Sequence, residues 1–185
     1  MDQVVAVDIA TGGEYRDRVI GYIREQMERA FGCPPPETSG VIFVARSGDR
    51  IIGTLVYEST SDQVPFQIEA RYRFIDGGLS QLAPRSAMVV GTRWIGTEPG
   101  ASWAVLRFAS IVAVGFGKRY ALIEGKPYTA KRLRELGALC TELSGAHIDL
   151  DRTEALVGLE GMVYYRQSPA PRLYIVDLAH IVSLG

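Results

Sequence analysis

The sequence has little cysteine and little histidine, the residues on which most zinc sites depend. Its 185 residues include two cysteines, Cys33 and Cys140, and two histidines, His147 and His180. These four residues are too widely spaced for any common ligand motif. We therefore expect no metal site, and two free thiols in a reducing compartment.

An excess of charge and a long apolar run are also missing. The chain carries 20 Lys and Arg against 21 Asp and Glu. Because the positive and negative charges are nearly equal in number, we expect no general attraction to nucleic acid or to anionic membranes. The longest apolar stretch, residues 103–116, contains Arg107 and is too short to cross a bilayer. The early residues Asp2 and Asp8 do not fit a signal peptide, so we expect a cytoplasmic protein.

What the chain does have is enough apolar sequence for one sizeable core. Hydrophobic residues make up 47% of the chain, which is typical of a globular protein. We found no repeat and no low-complexity linker, so residues 1–185 are expected to form a single domain.

Hydrophobic periodicity predicts an alternation of strands and helices. Apolar residues recur every three or four positions over 15–31, which indicates an amphipathic helix that ends before Pro34, Pro35 and Pro36. Residues 41–45 and 51–57 flank a glycine turn and predict a β-hairpin. Residues 66–75 fit a strand and a short helix equally poorly. The remaining predicted strands are 4–9, 86–95, 119–124, 146–150 and 173–177, and the remaining helices are 103–116 and 128–140, with 154–165 either a helix or a turn into a strand.

The stretch between the strand at 86–95 and the helix at 103–116 is rich in small residues. Gly100, Ala101 and Ser102 come immediately before the helix. The first N–H groups of a helix lack intrahelical partners and favour an anion, and small residues let a diphosphate approach the backbone. A tight strand-to-helix connection also needs small residues, so both interpretations stay open here.

Three stretches, in this order, resemble the GNAT superfamily of acyl-CoA N-acyltransferases. "VIFVARSGDRIIGTLVY" looks like the family's second and third strands. "TEPGAS", residues 97–102, aligns with the pyrophosphate loop Gln/Arg-x-x-Gly-x-Gly/Ala, so that Gly100 matches, Thr97 replaces the first residue and Ser102 is the final small one. "RLRELGA", residues 132–138, resembles the family's Leu-Tyr-Glu-x-Leu-Gly-Phe helix end, with Leu133 in place of the tyrosine.

A weaker similarity points to the acyl-homoserine-lactone synthases and the thermostable-hemolysin-like branch of that superfamily. The synthases carry Glu-x-Ser-Arg-Phe on the fourth strand, where this chain has Val90, Gly91, Thr92, Arg93 and Trp94. The arginine and the aromatic residue match, and the glutamate does not. The acidic Asp-x-Tyr-Asp cluster of the synthases is not found in the sequence.

The resemblance implies an α/β (α+β) fold with a mixed, mostly antiparallel sheet that is flanked by helices and splayed between strands four and five. It implies acetyl-CoA or another acyl-CoA as co-substrate, and a backbone N–H at a bulge in strand four that polarises the thioester carbonyl. The residues expected at the bulge are Thr92, Arg93 and Trp94. Those expected to hold coenzyme A are Thr97, Gly100, Ala101, Ser102 and Lys131. Lys126, Lys131 and Arg132 could reach its ribose phosphate, or could form a solvated helix face.

Acyl transfer to an amine needs a base for the amine and gains from an acid for the leaving thiolate. The candidate bases are Glu69 first and Glu124 second; solvated surface carboxylates are the alternative. The candidate acid is Tyr128, with Tyr164 and Tyr165 as further hydroxyls. Arg71 and Arg73, together with Arg93, could bind the carboxylate of an acidic acceptor, or could form salt bridges at the rim.

The sequence thus predicts an N-acyltransferase that acts on a small-molecule amine. The alternatives are an inactive relative that binds an acyl thioester or a partner, a signal synthase of the acyl-homoserine-lactone type, and an unrelated α/β fold. A homodimer is possible.

Overall fold

The computed structural model describes residues 5–33, 38–75 and 78–184. The predicted break at Pro34, Pro35 and Pro36 and the start of the first predicted strand at Val4 lie outside these residues. The strands are β1 (Ala6–Ile9), β2 (Val41–Ser47), β3 (Arg50–Glu58), β4 (Tyr72–Phe74), β5 (Met88–Gly96), β6 (Tyr120–Gly125), β7 (Cys140–Glu142), β8 (Ala146–Ile148) and β9 (Arg172–Asp177). The helices are α1 (Gly13–Phe31), α2 (Ala101–Gly115), α3 (Pro127–Glu135), α4 (Leu150–Arg166) and α5 (Leu178–Ser183).

The central sheet has seven strands in the order β1-β2-β3-β5-β6-β9-β7, and β4 pairs with β8 in a small second sheet. Among the described strands, β5 and β6 pair in parallel and the other neighbours are antiparallel. The predicted α/β fold with a mixed, mostly antiparallel sheet is therefore confirmed. The family's strands four and five are β5 and β6 here, because β4 lies outside the large sheet.

Successive side chains of the hairpin β2–β3 point to opposite faces of the sheet, and a different helix packs on each face. Ile42, Val44 and Val56 pack with Val19 and Ile23 of α1. Their neighbours along the strands point to the other face, where α2 supplies most of the helical packing; this set includes Phe43, Ala45, Leu55, Tyr57, Val105, Leu106 and Ala109. A two-residue period in a strand buried on both sides produces this division.

Strands β5 and β6 pair only over their first halves. Their register runs from Met88 opposite Tyr120 to Gly91 opposite Ile123. Beyond Gly91, β5 continues along β3 to Gly96, whereas β6 continues along β9. The two strands therefore diverge, and the predicted splay between strands four and five is confirmed.

Three local predictions needed correction or refinement. Residues 66–75 contain both alternatives, a 3₁₀ turn over Gln67–Arg71 followed by β4. Helix α3 ends at Glu135 rather than at Cys140, because Gly137 takes a left-handed conformation with φ of 87° and Ala138 N–H bonds the Leu133 carbonyl. Helix α4 is a helix, as one alternative held, but it is interrupted at Gly158, which has non-helical dihedral angles.

No helix in the described part of the chain is both long enough and apolar enough to span a lipid bilayer.

Candidate active site

The divergence of β5 from β6 opens a cavity of about 510 Å³. Its walls come from both strands, from the C-terminal half of α1, from the 3₁₀ turn before β4, and from α3 and α4. The wall residues include Met27, Phe31, Glu58, Arg71, Gly91, Thr92, Arg93, Trp94, Ile123, Glu124, Tyr128, Leu156, Val157, Tyr164 and Tyr165.

A β-bulge lies on β5 where it leaves β6. Thr54 pairs with Ile95 and Val56 pairs with Thr92, so three steps along β5 match two along β3. Arg93, inside this bulge, has φ of 52°, a left-handed conformation that costs energy in a residue with a Cβ. The bulge predicted near residues 92–94 is confirmed as a structural feature.

The bulge orients the peptide group between Arg93 and Trp94. The Thr54 hydroxyl donates a hydrogen bond of 3.1 Å to the Arg93 carbonyl oxygen. Because C=O and N–H of a trans peptide point in opposite directions, the N–H of Trp94 points away from the Thr54 hydroxyl. Trp94 itself lies on the cavity wall.

Gly91 allows the close packing at the point of divergence. A Cβ on Gly91 would lie 3.2 Å from Tyr57 Cε1 and 3.3 Å from Ile123 Cγ1. Both distances are tighter than ordinary van der Waals contact, so a larger residue would push the strands apart above the bulge.

Glu124, near the end of β6, lines the cavity, as does Glu58 at the end of β3. Arg71 Nη2 donates to Glu124 Oε2 over 3.2 Å, and the Tyr165 hydroxyl donates to the same oxygen over 3.0 Å. The Glu124 side chain is 8% exposed. Burial disfavours the charge on Arg71, but Glu124 outweighs it, so the Arg71 pKa lies above its usual value. Burial and the negative charge of Glu124 raise the pKa of Tyr165, which keeps its hydroxyl protonated as a donor.

Lys126 fixes the end of α4 against this cluster. Its ammonium donates to the carbonyl oxygens of Tyr164 at 2.7 Å and Gln167 at 2.8 Å, and lies 4.7 Å from the centre of the Tyr164 ring. Burial lowers the Lys126 pKa. The sequence placed Lys126 near the ribose phosphate, whereas the structure turns it toward α4.

Glu69, the first candidate base, does not line the cavity. Arg85 holds both of its oxygens, at 2.6 and 2.8 Å, and the Phe66 N–H donates to Oε2 over 2.8 Å. These contacts cap the 3₁₀ turn at 67–71. They outweigh the effect of burial and lower the Glu69 pKa. Of the two candidate bases, Glu124 lines the cavity and Glu69 does not.

The two candidate acceptor-binding arginines are separated by the fold. Arg71 lies on the cavity wall. The Arg73 side chain is 70% exposed, does not line the cavity and pairs with Asp149 at 2.7 Å. Arg73 therefore forms the salt bridge that the sequence left as its alternative role.

Helix α3 presents Tyr128 and Lys131 differently. Tyr128, in the first turn, lines the cavity, although much of its side chain is exposed. Burial of the remainder raises its pKa. Lys131 is outside the cavity lining, largely exposed, and 3.9 Å from Glu135. Leu133, which stands where the family often has a tyrosine, is fully buried.

The start of α2 is open above Gly100. This residue is the N-cap, with φ of 80°, and a Cβ there would meet nothing within 4 Å. Ala101 is buried, and Ser102 packs against Gly96, where a Cβ would lie 2.7 Å from the Ser102 Cβ. The Thr97 hydroxyl donates a hydrogen bond of 3.2 Å to the Ile52 carbonyl oxygen, so its proton is already bonded to β3.

The sequence did not indicate that α1 and α4 would close the cavity. Met27 and Phe31 of α1 and Leu156 and Val157 of α4 form much of its apolar wall. Met27 and Phe31 have the four-residue spacing of ordinary core residues, and Leu156 and Val157 are adjacent residues without such spacing. The one local signal is the pair Tyr164–Tyr165, whose rings meet edge to face at 5.2 Å.

Comparison with known proteins identifies the fold of this chain through solved structures. No family model matches the sequence, and no curated protein matches it. Among solved structures, TofI in a ternary complex with an inhibitor and MTA superposes with a TM-score of 0.66 at 13% identity, over 97% of this chain and 94% of that chain. FeeM, an N-acyl amino acid synthase from uncultured soil microbes, gives 0.60 at 12% identity, over 97% and 94%. The Tetrahymena GCN5 histone acetyltransferase with coenzyme A gives 0.57 at 9% identity, over 96% and 95%.

These likenesses extend over nearly the whole of each chain. They show that this chain has the GNAT fold, in agreement with the resemblance found in the sequence.

Proposed function

We propose that the protein is an N-acyltransferase that moves an acetyl or longer acyl group from acyl-CoA to the amine of a small molecule. One observation carries this proposal. The bulge on β5 puts the peptide group between Arg93 and Trp94 on the wall of a cavity that also holds the buried carboxylate of Glu124. A carbonyl activator and a proton acceptor thus face the same space.

The start of α2 would hold the donor. Open space above Gly100 leaves room for a diphosphate, and the helix N-terminus favours negative charge there. The pantetheine arm would then enter the gap between β5 and β6, with the thioester carbonyl against the Trp94 N–H. Thr92 and Arg93 flank that amide on the cavity wall.

Glu124 is the proposed base and Tyr128 the proposed acid. Glu124 takes a proton from the acceptor so that the nitrogen attacks as a neutral amine. Tyr165 is a positioning residue, because it reaches the reaction through its hydrogen bond to Glu124. Tyr128 lines the cavity with a raised pKa, so its hydroxyl is protonated at neutral pH and can protonate the leaving sulfur.

A donor-binding protein without turnover is the second candidate. This candidate is favoured by the buried Leu133, because the family often has a general-acid tyrosine at that position. Thiol release separates the two candidates.

The experiment incubates purified protein with acetyl-CoA, hexanoyl-CoA or octanoyl-CoA and a panel of amines, and measures free thiol. Coenzyme A alone should raise the melting temperature, because a ligand at about 100 times its dissociation constant adds about 2.7 kcal/mol. Amine-dependent thiol release supports the enzyme. A thermal shift without thiol release supports the second candidate. The absence of both a thermal shift and thiol release contradicts both candidates.

A further inference from the structure

Three polar atoms on the cavity wall make no hydrogen bond within the part of the chain that the structure describes. They are Arg71 Nε, Thr92 Oγ1 and Glu124 Oε1, and each is buried. Buried polar atoms are almost always paired, because an unpaired one loses its hydration without compensation. Three such atoms on one wall indicate that a ligand completes them.

The chemistry of the two charged atoms defines that ligand. Arg71 Nε can only donate, and the carboxylate oxygen Glu124 Oε1 can only accept. They belong to side chains already joined by the 3.2 Å contact between Arg71 Nη2 and Glu124 Oε2. The ligand must therefore carry an anionic acceptor and a cationic or neutral N–H donor on neighbouring atoms.

An α-amino acid has this arrangement, since its carboxylate and its amine are attached to one carbon. It also adds no net charge to a wall that holds Arg71 and Arg93 against Glu58 and Glu124. A simple amine would satisfy Glu124 and leave Arg71 Nε unpaired. Burying an additional uncompensated charge is costly, which disfavours such an amine.

Resting on the proposed function, we infer that the acyl acceptor is a free α-amino acid. Its carboxylate accepts a hydrogen bond from Arg71 Nε, and its amine faces Glu124 Oε1. Thr92 Oγ1, on the facing strand, is placed to bond the same molecule. The apolar wall at Met27, Phe31, Leu156 and Val157 suits an apolar side chain or the acyl chain.

The reaction balances without any further reagent. The ammonium of the amino acid gives one proton to Glu124, which passes it to water. The nitrogen lone pair forms the C–N bond with the thioester carbonyl carbon, and the C–S bond breaks with its electron pair on sulfur. The second nitrogen proton ends on that sulfur, so the products are an N-acyl amino acid, free thiol and one proton.

The test uses matched pairs that differ in the carboxylate. The pairs are leucine with isoamylamine and phenylalanine with phenethylamine, with the two amino acid amides as neutral isosteres. We expect kcat/KM for the amino acid to exceed that for its amine by about 100-fold or more, because the site rejects a molecule that leaves a buried polar group unpaired. Calorimetric titration of the same compounds without donor measures binding separately.

Two arginine variants two residues apart supply the internal comparison. Arg71→Gln should reduce the preference for amino acid over amine to within a few-fold. Arg73→Gln should keep it, because Arg73 pairs with Asp149 outside the cavity. Calorimetry with the wild-type protein keeps the inference testable if Arg71→Gln does not fold.

The outcomes separate the inference from the proposed function. Equal turnover of amines and amino acids overturns the inference and leaves the acyltransferase in place. Amino acid binding without turnover supports an amino acid site at Arg71 and Glu124, but it contradicts the acyltransferase and therefore overturns the role of the amino acid as acyl acceptor. If no amino acid binds and none is turned over, the inference is overturned, whatever other amines do.

Discussion

The hydroxyl of Thr54 holds the carbonyl of Arg93 at 3.1 Å, and this bond joins the centre of β3 to the bulge on β5. Thr54 is fully buried, so the bond is protected from water. The left-handed conformation of Arg93 is thus fixed from β3, which lies on the other side of β5 from β6. The orientation of the Trp94 amide depends on a residue that touches neither proposed substrate.

We predict that Thr54→Val lowers kcat by about 10- to 100-fold, because small misplacements of a reacting group are costly. Loss of this buried hydrogen bond should also cost about 1–3 kcal/mol of unfolding free energy. Thr54→Ser retains the hydroxyl and should recover most of both losses. Steady-state kinetics and urea unfolding measure the two effects, and an unchanged kcat in a folded Thr54→Val protein would contradict the role of the bulge.

Gly100→Val should block binding of coenzyme A by filling the open space at the start of α2. Its left-handed φ of 80° adds strain, so a matched control is needed. Gly117 has φ of 76°, also with nothing within 4 Å of a Cβ, and lies beyond the other end of the same helix. Gly117→Val should lose similar stability, about 1–2 kcal/mol, and still bind coenzyme A.

Calorimetry with coenzyme A compares these two glycine variants. Equal affinity of Gly100→Val and Gly117→Val for coenzyme A would contradict the proposal that its diphosphate binds at the start of α2.

Glu124→Gln and Glu69→Gln separate the two candidate bases. Loss of a general base costs about 10²–10⁴-fold, so we expect Glu124→Gln to lower kcat by at least about 100-fold. Glu69→Gln should lower the melting temperature by breaking its contacts with Arg85, with kcat within about twofold of wild type. The reverse pattern in kcat would restore Glu69 as the base.

The contrast between these glutamates shows where sequence reasoning stops. The helix 15–31, the hairpin, the bulge and the splay follow from local periodicity, glycine placement and the family-like order of elements. Residues 69 and 71 share one 3₁₀ turn with about three residues per turn, so they point in different directions. Which of them faces the cavity depends on Arg85 and Glu124, which approach from other parts of the chain.

The same limit applies to α4. Gly158 interrupts its helical pattern, and the adjacent apolar residues 156 and 157 show no periodicity that would place them on a cavity wall. Only the tertiary fold brings them over the gap between β5 and β6.

Asp149 should make stability depend on acid pH. It caps α4, and hydrogen bonds from Arg73 and from the Arg152 N–H lower its pKa below the ordinary 3.8. Between the lowered and the ordinary pKa the unfolded state binds more protons, so this contribution is present above about pH 4–5 and is lost as pH falls below it. Urea unfolding at pH 7, 5 and 3.5 should show the gap between wild type and Asp149→Asn shrinking with acid. A gap independent of pH would contradict this assignment.

Lys126 should be essential for docking the end of α4. Lys126→Met removes two charge-assisted hydrogen bonds to the carbonyls of Tyr164 and Gln167, each worth about 1.5–3 kcal/mol, and a favourable charge at a helix C-terminus. We expect a lower unfolding midpoint and, because Tyr165 follows Tyr164, a reduced kcat through the Tyr165–Glu124 bond.

Lys126→Arg keeps the charge and is the control, with partial recovery expected because its planar donors differ from an ammonium. Tyr165→Phe tests the second step, since it should share the loss of kcat with little of the loss in stability. If Lys126→Met unfolds at the wild-type midpoint while kcat falls, Lys126 acts on the reaction directly and not through α4.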